Sequence, residues 1–99
     1  MLELTGKQKR YLRSLAVKEE PILQIGKGGI NEAVIKQLDD ALEARELVKV
    51  RLLRNCPLTQ EEAGEKMAEA TGACLVQVVG SVLVFYRPSR EKPPRIVLP

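Results

Sequence analysis

Apolar residues near the start of the chain recur at the spacing of an α-helix. Thr5 and Gln8 have the spacing of a capping box, and Pro21 disfavours helical geometry at Glu20, so a first helix is predicted from Thr5 to about Val17–Glu19. Its inward face consists of Leu4, Tyr11, Leu12, Leu15 and Ala16. Its outer face, called here the basic helix face, carries Lys7, Lys9, Arg10 and Arg13. The pattern indicates an amphipathic helix with a positively charged exposed side.

A second helical pattern is followed by the alternation that is typical of a strand. Apolar positions recur at helical spacing from Ile30 to Leu42 and predict a second helix of about four turns. In Leu47–Leu53, apolar residues then alternate with Lys49 and Arg51. A period of two predicts a half-buried strand with both cations on its open face.

The remaining elements are a third helix and a hairpin. Thr59 and Glu62 form a second capping box, and Gly72 is placed to end that helix. Two β-rich runs, residues 74–79 and 82–86, are joined by Gly80-Ser81, which suits a two-residue type II′ turn.

Together with a short strand at Pro21–Ile25, these patterns give the element order αβαβαββ. We expect an α/β two-layer sandwich, with the helices packed on one face of a four-stranded mixed sheet. A chain of 99 residues suffices for one domain, which we assign to residues 1–88. Residues 89–99 combine prolines with cations and are expected to form an extended, poorly ordered basic tail.

Charge is distributed unevenly along the chain. Four glutamates and one lysine between residues 59 and 72 give that segment a charge of −3. Because the net charge is +3, the rest of the chain carries +6. Most such cations are simply solvated. Their separation from the acidic third helix nevertheless favours a one-sided basic surface and an acidic partner.

The composition argues against several classes of function. There is no His, and Cys56 and Cys74 form no C-x-x-C pair, so neither a metal site nor a cofactor is expected. The clustered carboxylates are limited to the pairs Asp39-Asp40 and Glu61-Glu62. The sequence therefore lacks the usual acid–base groups of an enzyme. One Phe, two Tyr and no Trp argue against a single-strand binder built on rows of stacked bases.

The chain also shows no sign of membrane association. It has neither the apolar core of a secretory signal near its start nor a stretch long enough to span a bilayer. Two isolated cysteines fit a reducing compartment, so we expect a cytoplasmic protein with no membrane partner.

The segment with the clearest chemistry is the glycine loop, defined as Gly26, Lys27, Gly28 and Gly29. It joins a predicted strand to the start of a helix, for which Asn31 is the predicted N-cap. Little side-chain bulk, one lysine and the positive end of a helix suit a phosphate. The spacing matches neither a P-loop nor a dinucleotide fingerprint. Such a turn also serves merely as a corner in many proteins, and the sequence alone leaves both interpretations open.

An ordered set of motifs from Leu4 to Pro88 resembles the YhbY family, also called the CRM domain. The motifs are Leu4-Thr5-x-Lys7-Gln8, Leu12-Arg13-x-Leu15-Ala16, Ile25-Gly26-Lys27-Gly28-Gly29-Ile30, Ala41-Leu42-Glu43-x-x-Glu46-Leu47-Val48-Lys49-Val50, Thr71-Gly72-Ala73 and Gln77-Val78-x-Gly80-x-x-Leu83-Val84-x-Tyr86-Arg87. The resemblance implies a small RNA-binding fold whose glycine loop is similar to the GxxG loop of KH domains. It implies a ribosome-assembly factor associated with the large-subunit precursor, and organellar relatives act in intron splicing.

Two functions follow from these observations. The first is a non-enzymatic RNA-binding protein that contacts ribosomal RNA through the glycine loop and the basic helix face, without a small-molecule substrate. Further RNA-contact candidates are Lys49, Arg51 and Arg54, although Lys49 and Arg51 could equally keep an open sheet face soluble. The alternative is a protein-interaction module that uses the acidic third helix or the tail.

Overall fold

The computed structural model describes residues 3–99 and contains three helices and four strands. The predicted order αβαβαββ is confirmed. The elements are α1 Gly6–Ala16, β1 Leu23–Ile25, α2 Glu32–Arg45, β2 Leu47–Leu52, α3 Gln60–Thr71, β3 Cys74–Val79 and β4 Val82–Tyr86.

The helix ends are fixed by the residues that the sequence indicates. Thr5 and Thr59 each form a complete capping box at the start of α1 and α3. The Asn31 side chain accepts a hydrogen bond from the Val34 amide at the start of α2. Gly72, at φ +73°, ends α3 in the left-handed conformation that glycine adopts without steric cost.

The four strands form one mixed sheet in the order β1-β2-β4-β3. Strand β1 runs parallel to β2, and the other two pairings are antiparallel. A β-bulge interrupts the pairing of β3 with β4 between Leu75 and Gln77. The last strand in the chain therefore lies in the interior of the sheet, next to β2.

Helices cover both faces of this sheet, which differs from the sequence-based expectation. Helices α2 and α3 pack on the face that holds Val50, Leu83 and Phe85. Helix α1 packs on the opposite face, against Leu47 and Tyr86. The two-layer arrangement therefore describes α2, α3 and the sheet, and placing α1 on the same face is wrong. The unbroken apolar run of β4 is the signal for burial on both faces.

The expectation of a poorly ordered tail is also wrong. Residues after Tyr86 lack regular secondary structure, but they pack against the body of the domain. Ile96 and Leu98 contact the apolar cluster beneath α1, and the Pro99 carbonyl accepts a hydrogen bond from the Gln8 side chain. Whether residues 1–88 form a domain without this tail stays a prediction.

Two glutamates near the end of α2 hold the tail by its backbone. The buried carboxylate of Glu46 accepts hydrogen bonds from the amides of Ser89, Arg95 and Ile96 at 2.7–2.8 Å. This satisfies backbone groups that tertiary burial would otherwise leave unpaired. Glu46 also has φ +67°, a value that non-glycine residues rarely adopt. We call the contacts of Glu43 and Glu46 with residues 89–96 the tail clasp.

The second carboxylate of the tail clasp belongs to Glu43. It accepts hydrogen bonds from the Ser89 hydroxyl and from the amides of Arg90 and Glu91. These bonds, together with the charge of Arg87, lower the pKa of Glu43 to about 2. The carboxylate therefore stays ionised, and remains a strong acceptor for the tail, at every pH above that value.

Candidate nucleic-acid interface

The glycine loop forms a tight turn between β1 and α2. The Gly29 amide donates to the Gly26 carbonyl at 3.0 Å, which closes the turn, and Lys27 and Gly28 lie exposed at its tip. Gly29 is buried at φ +65°, so this position requires glycine for its backbone conformation. The loop is thus shaped by its own backbone hydrogen bond and projects one lysine into solvent.

Unlike Gly26 and Gly29, Gly28 is not required by the backbone conformation or by the packing of the fold. Its φ lies outside the left-handed region, and a Cβ built on it would meet no atom within 4 Å. A Cβ on Gly26 would instead approach the Asn55 Oδ1 atom at 3.2 Å. The space above Gly28 is open to a ligand that approaches the backbone closely.

A second segment packs against the glycine loop. After β2, the Leu53 amide donates to the Ile25 carbonyl at 2.9 Å, and Pro57 lies against Gly29. This brings the exposed Arg54 into the loop that borders the glycine loop. Sequence reasoning named Arg54 but missed Asn55 and Pro57, because no sequence pattern reports a contact between two loops so far apart in the chain.

The basic helix α1 and the acidic helix α3 occupy opposite faces of the sheet. Lys7 and Arg10 of the basic helix face are exposed, while Lys9 and Arg13 are partly buried along α1. The acidic side chains of α3 lie across the sheet on the other face: Glu61, Glu62, Glu65 and Glu69. The uneven charge of the sequence therefore corresponds to a physical separation by face.

The end of α2 nearest the glycine loop contributes mixed charge. The start of a helix carries partial positive charge, which favours an anion. Glu32, however, is exposed in the first turn of α2. A phosphate would therefore be drawn to the side of the turn that carries Lys27 and not to the helix end alone.

Lys49 has a different role from the other candidate cations. Its ammonium group donates to the carbonyls of Ala16 and Glu19 at 3.0 and 3.1 Å. Carbonyl groups at the end of a helix lack partners within the helix. Lys49 therefore fastens the end of α1 to the sheet, whereas Arg51, two residues later on the same face, is exposed.

Replacing Lys49 by methionine is expected to lower the free energy of unfolding by about 1–2 kcal/mol, because two hydrogen bonds to a charged donor are lost. Arg51→Met is the matched control on the same strand, and its expected effect is below about 0.5 kcal/mol. Denaturant unfolding of both variants measures the difference. Equal effects would contradict the anchoring role of Lys49.

The described residues 3–99 show neither a metal centre nor a membrane span. In this part of the chain no three His, Cys, Asp or Glu side chains are grouped to hold a metal ion. None of the described helices has the length and apolar character to cross a membrane. Burial raises the pKa of the Cys74 thiol, and the charge of Lys9 opposes this only in part, so the thiol is poorly suited to metal binding.

Comparison of the sequence with known proteins identifies a family and several relatives. Residues 4–87 match the family profile described as the CRS1 / YhbY (CRM) domain. The chain is 49% identical over 88 residues to the probable RNA-binding protein YqeI of Bacillus subtilis, covering 89% of this chain and 92% of that protein. It is 35% identical over 91 residues to a protein of Haemophilus influenzae named RNA-binding protein, covering 92% of each.

A solved structure extends the similarity to the tail. The solution structure of the hypothetical protein SAV1595 from Staphylococcus aureus has a TM-score of 0.80 and 59% sequence identity, and the match covers 98% of this chain and 100% of that one. The order of elements, the ordered motifs and the family match over residues 4–87 all agree. The chain therefore belongs to the CRS1/YhbY (CRM) domain family.

Proposed function

We propose that this chain is a non-enzymatic RNA-binding protein that holds the ribose-phosphate backbone at its glycine loop. The observation that carries the proposal is Gly28, whose lack of a side chain serves neither backbone conformation nor packing. A position left bare at an exposed tip, beside a lysine, suits close approach by a phosphate. The names of the Bacillus and Haemophilus relatives, which describe RNA-binding proteins, support the same function.

The wider interface of the proposal combines the glycine loop with the basic helix face and Arg54. Phosphate contacts of this kind carry little sequence information, so recognition depends largely on RNA shape. We further propose that the RNA is ribosomal RNA of the large-subunit precursor and that the protein acts in ribosome assembly in the cytoplasm. The support for this finer assignment is the family resemblance of the motifs.

Gly28→Asp tests the site, with Gly28→Asn as the isosteric neutral control. Because the position is open, both variants are expected to fold with unfolding midpoints close to that of the unsubstituted protein. We expect the aspartate variant to bind rRNA fragments about tenfold or more weakly than the asparagine variant, since one carboxylate faces a phosphate at short range. Fluorescence anisotropy at low salt measures the difference. Equal affinities of the two folded variants would refute the proposed role of the loop.

A further inference from the structure

One row of neighbouring side chains crosses all four strands of the sheet on the face that carries α1. The register pairs Gln24 with Arg51, Arg51 with Val82, and Val82 with Val79. Adjacent strands lie about 4.8 Å apart, so the row is roughly 14 Å wide. We call these four residues the open row.

The open row is the part of this face that α1 leaves uncovered. Helix α1 packs over the other end of the strands, against Leu47 and Tyr86. In the open row, Gln24 and Arg51 are exposed and Val79 is 55% exposed. The surface is therefore accessible and partly apolar.

The open row is also continuous with the glycine loop. Gln24 precedes Gly26 by two residues on strand β1, and Arg51 is followed by Leu52, which pairs with Ile25 directly before the loop. An RNA backbone held at the loop would therefore bring its adjacent nucleotides to the open row.

Building on the proposed function, we infer that the open row receives unpaired bases of the bound RNA. The apolar side chains of Val79 and Val82 make no favourable contact with phosphates, but they can pack against the apolar faces of bases. The Gln24 carboxamide can both donate and accept, and the planar Arg51 guanidinium can hydrogen-bond a base edge or stack on a base. Base contacts of this type supply the sequence information that phosphate contacts lack.

The scarcity of exposed aromatic residues limits how many bases the open row can hold. Phe85 and Tyr86 are buried at 0% and 2% exposure, so neither provides a stacking platform, and Tyr11, at 38% exposure, lies on α1 outside the open row. Strong binding of long single strands depends on such platforms. The inferred ligand is therefore a base-paired stem with one or two unpaired nucleotides beside it.

The test compares RNA stems that differ only in a two-nucleotide overhang. The panel contains one fully paired stem and four stems with A, C, G or U overhangs, and binding is measured by fluorescence anisotropy. The unsubstituted protein is expected to discriminate among the overhangs by about fivefold or more, as one base-edge contact allows. The double variant Gln24→Ala/Arg51→Lys is expected to lose this discrimination. Its salt dependence should stay unchanged, because the two substitutions preserve the net charge.

Two outcomes would overturn the inference. One is equal binding of all five RNAs by the unsubstituted protein. The other is full discrimination retained by the folded double variant, as expected if the open row served to dock another protein. Failure of the proposed function gives a different result, in which Gly28→Asp and Gly28→Asn bind the fully paired stem equally well.

Discussion

Replacing Glu46 by alanine is expected to lower the free energy of unfolding by about 3 kcal/mol, because three backbone amides lose a charged acceptor at once. These amides belong to Ser89, Arg95 and Ile96. They can regain hydrogen bonds only from water, which loosens the end of the tail, although Glu43 still holds Ser89 and the next two residues. Ile96 and Leu98 would then withdraw from the cluster under α1. Denaturant unfolding measures the loss, and limited proteolysis between residues 89 and 99 reports release of the tail.

Glu46→Gly serves as the control for backbone conformation. At φ +67° glycine removes a strain of roughly 1–3 kcal/mol that alanine keeps. The glycine variant is therefore expected to be more stable than the alanine variant but still less stable than the unsubstituted protein. If alanine at this position cost no stability, or left the tail resistant to proteolysis, the tail clasp would have no energetic role.

The largest expected effect on RNA binding comes from removing one cation from each of two parts of the proposed interface. Arg10→Gln/Lys27→Gln removes an exposed cation from the basic helix face and the cation of the glycine loop. If each meets a phosphate, the slope of log affinity against log salt becomes shallower by about 1.4 to 1.8. We expect RNA affinity at low salt to fall by roughly two orders of magnitude, at about 1–1.5 kcal/mol for each charged contact.

The control removes the same amount of charge from the sheet face that carries α2 and α3, where Lys36 also pairs with Asp40 at 3.1 Å. Lys36→Gln/Lys66→Gln removes two exposed lysines, one from α2 and one from α3. Both double variants therefore have a net charge of +1, compared with +3 for the unsubstituted protein. The control is expected to change RNA affinity by less than about threefold, with an unchanged salt slope. Salt titrations of both variants decide the matter. Equal losses would mean that RNA responds to net charge and not to the proposed interface.

Local patterns predicted the fold well wherever a few neighbouring residues determine the outcome. The capping boxes at Thr5 and Thr59, the N-cap Asn31 and the end of α3 at Gly72 all depend on hydrogen bonds or dihedral angles within one turn. Such features can be read from adjacent residues. The hairpin at Gly80 belongs to the same class, and its φ of +57° fits the predicted turn.

Features that depend on distant contacts could not be predicted in the same way. The position of α1 follows from which strand face receives Leu12 and Ala16, and nothing in the helical period specifies that face. The ordered tail depends on Glu43 and Glu46, which lie more than 40 residues before their partners. A proline-rich composition indicates little regular structure but does not exclude packing.

For the same reason, only some parts of the candidate site could be predicted from the sequence. The glycine loop is a local motif, and its exposed tip and closed turn match its sequence. Lys49 and Arg51 look equivalent in the sequence, yet only the structure distinguishes the lysine that anchors α1 from the arginine that faces solvent. Side chains one strand apart in register, such as Gln24 and Arg51, could not be paired without knowing the sheet order.

The interior position of β4 has a consequence for the way in which the chain folds during synthesis. This strand is the last in sequence, yet it joins β2 to β3, so β3 has no partner in the sheet until β4 is available. Contacts between segments far apart in sequence form late, after the loop between them has closed. A nascent chain that ends before Val82 would hold only the β1–β2 pair, and completion of the sheet must wait until the final fifth of the chain is translated.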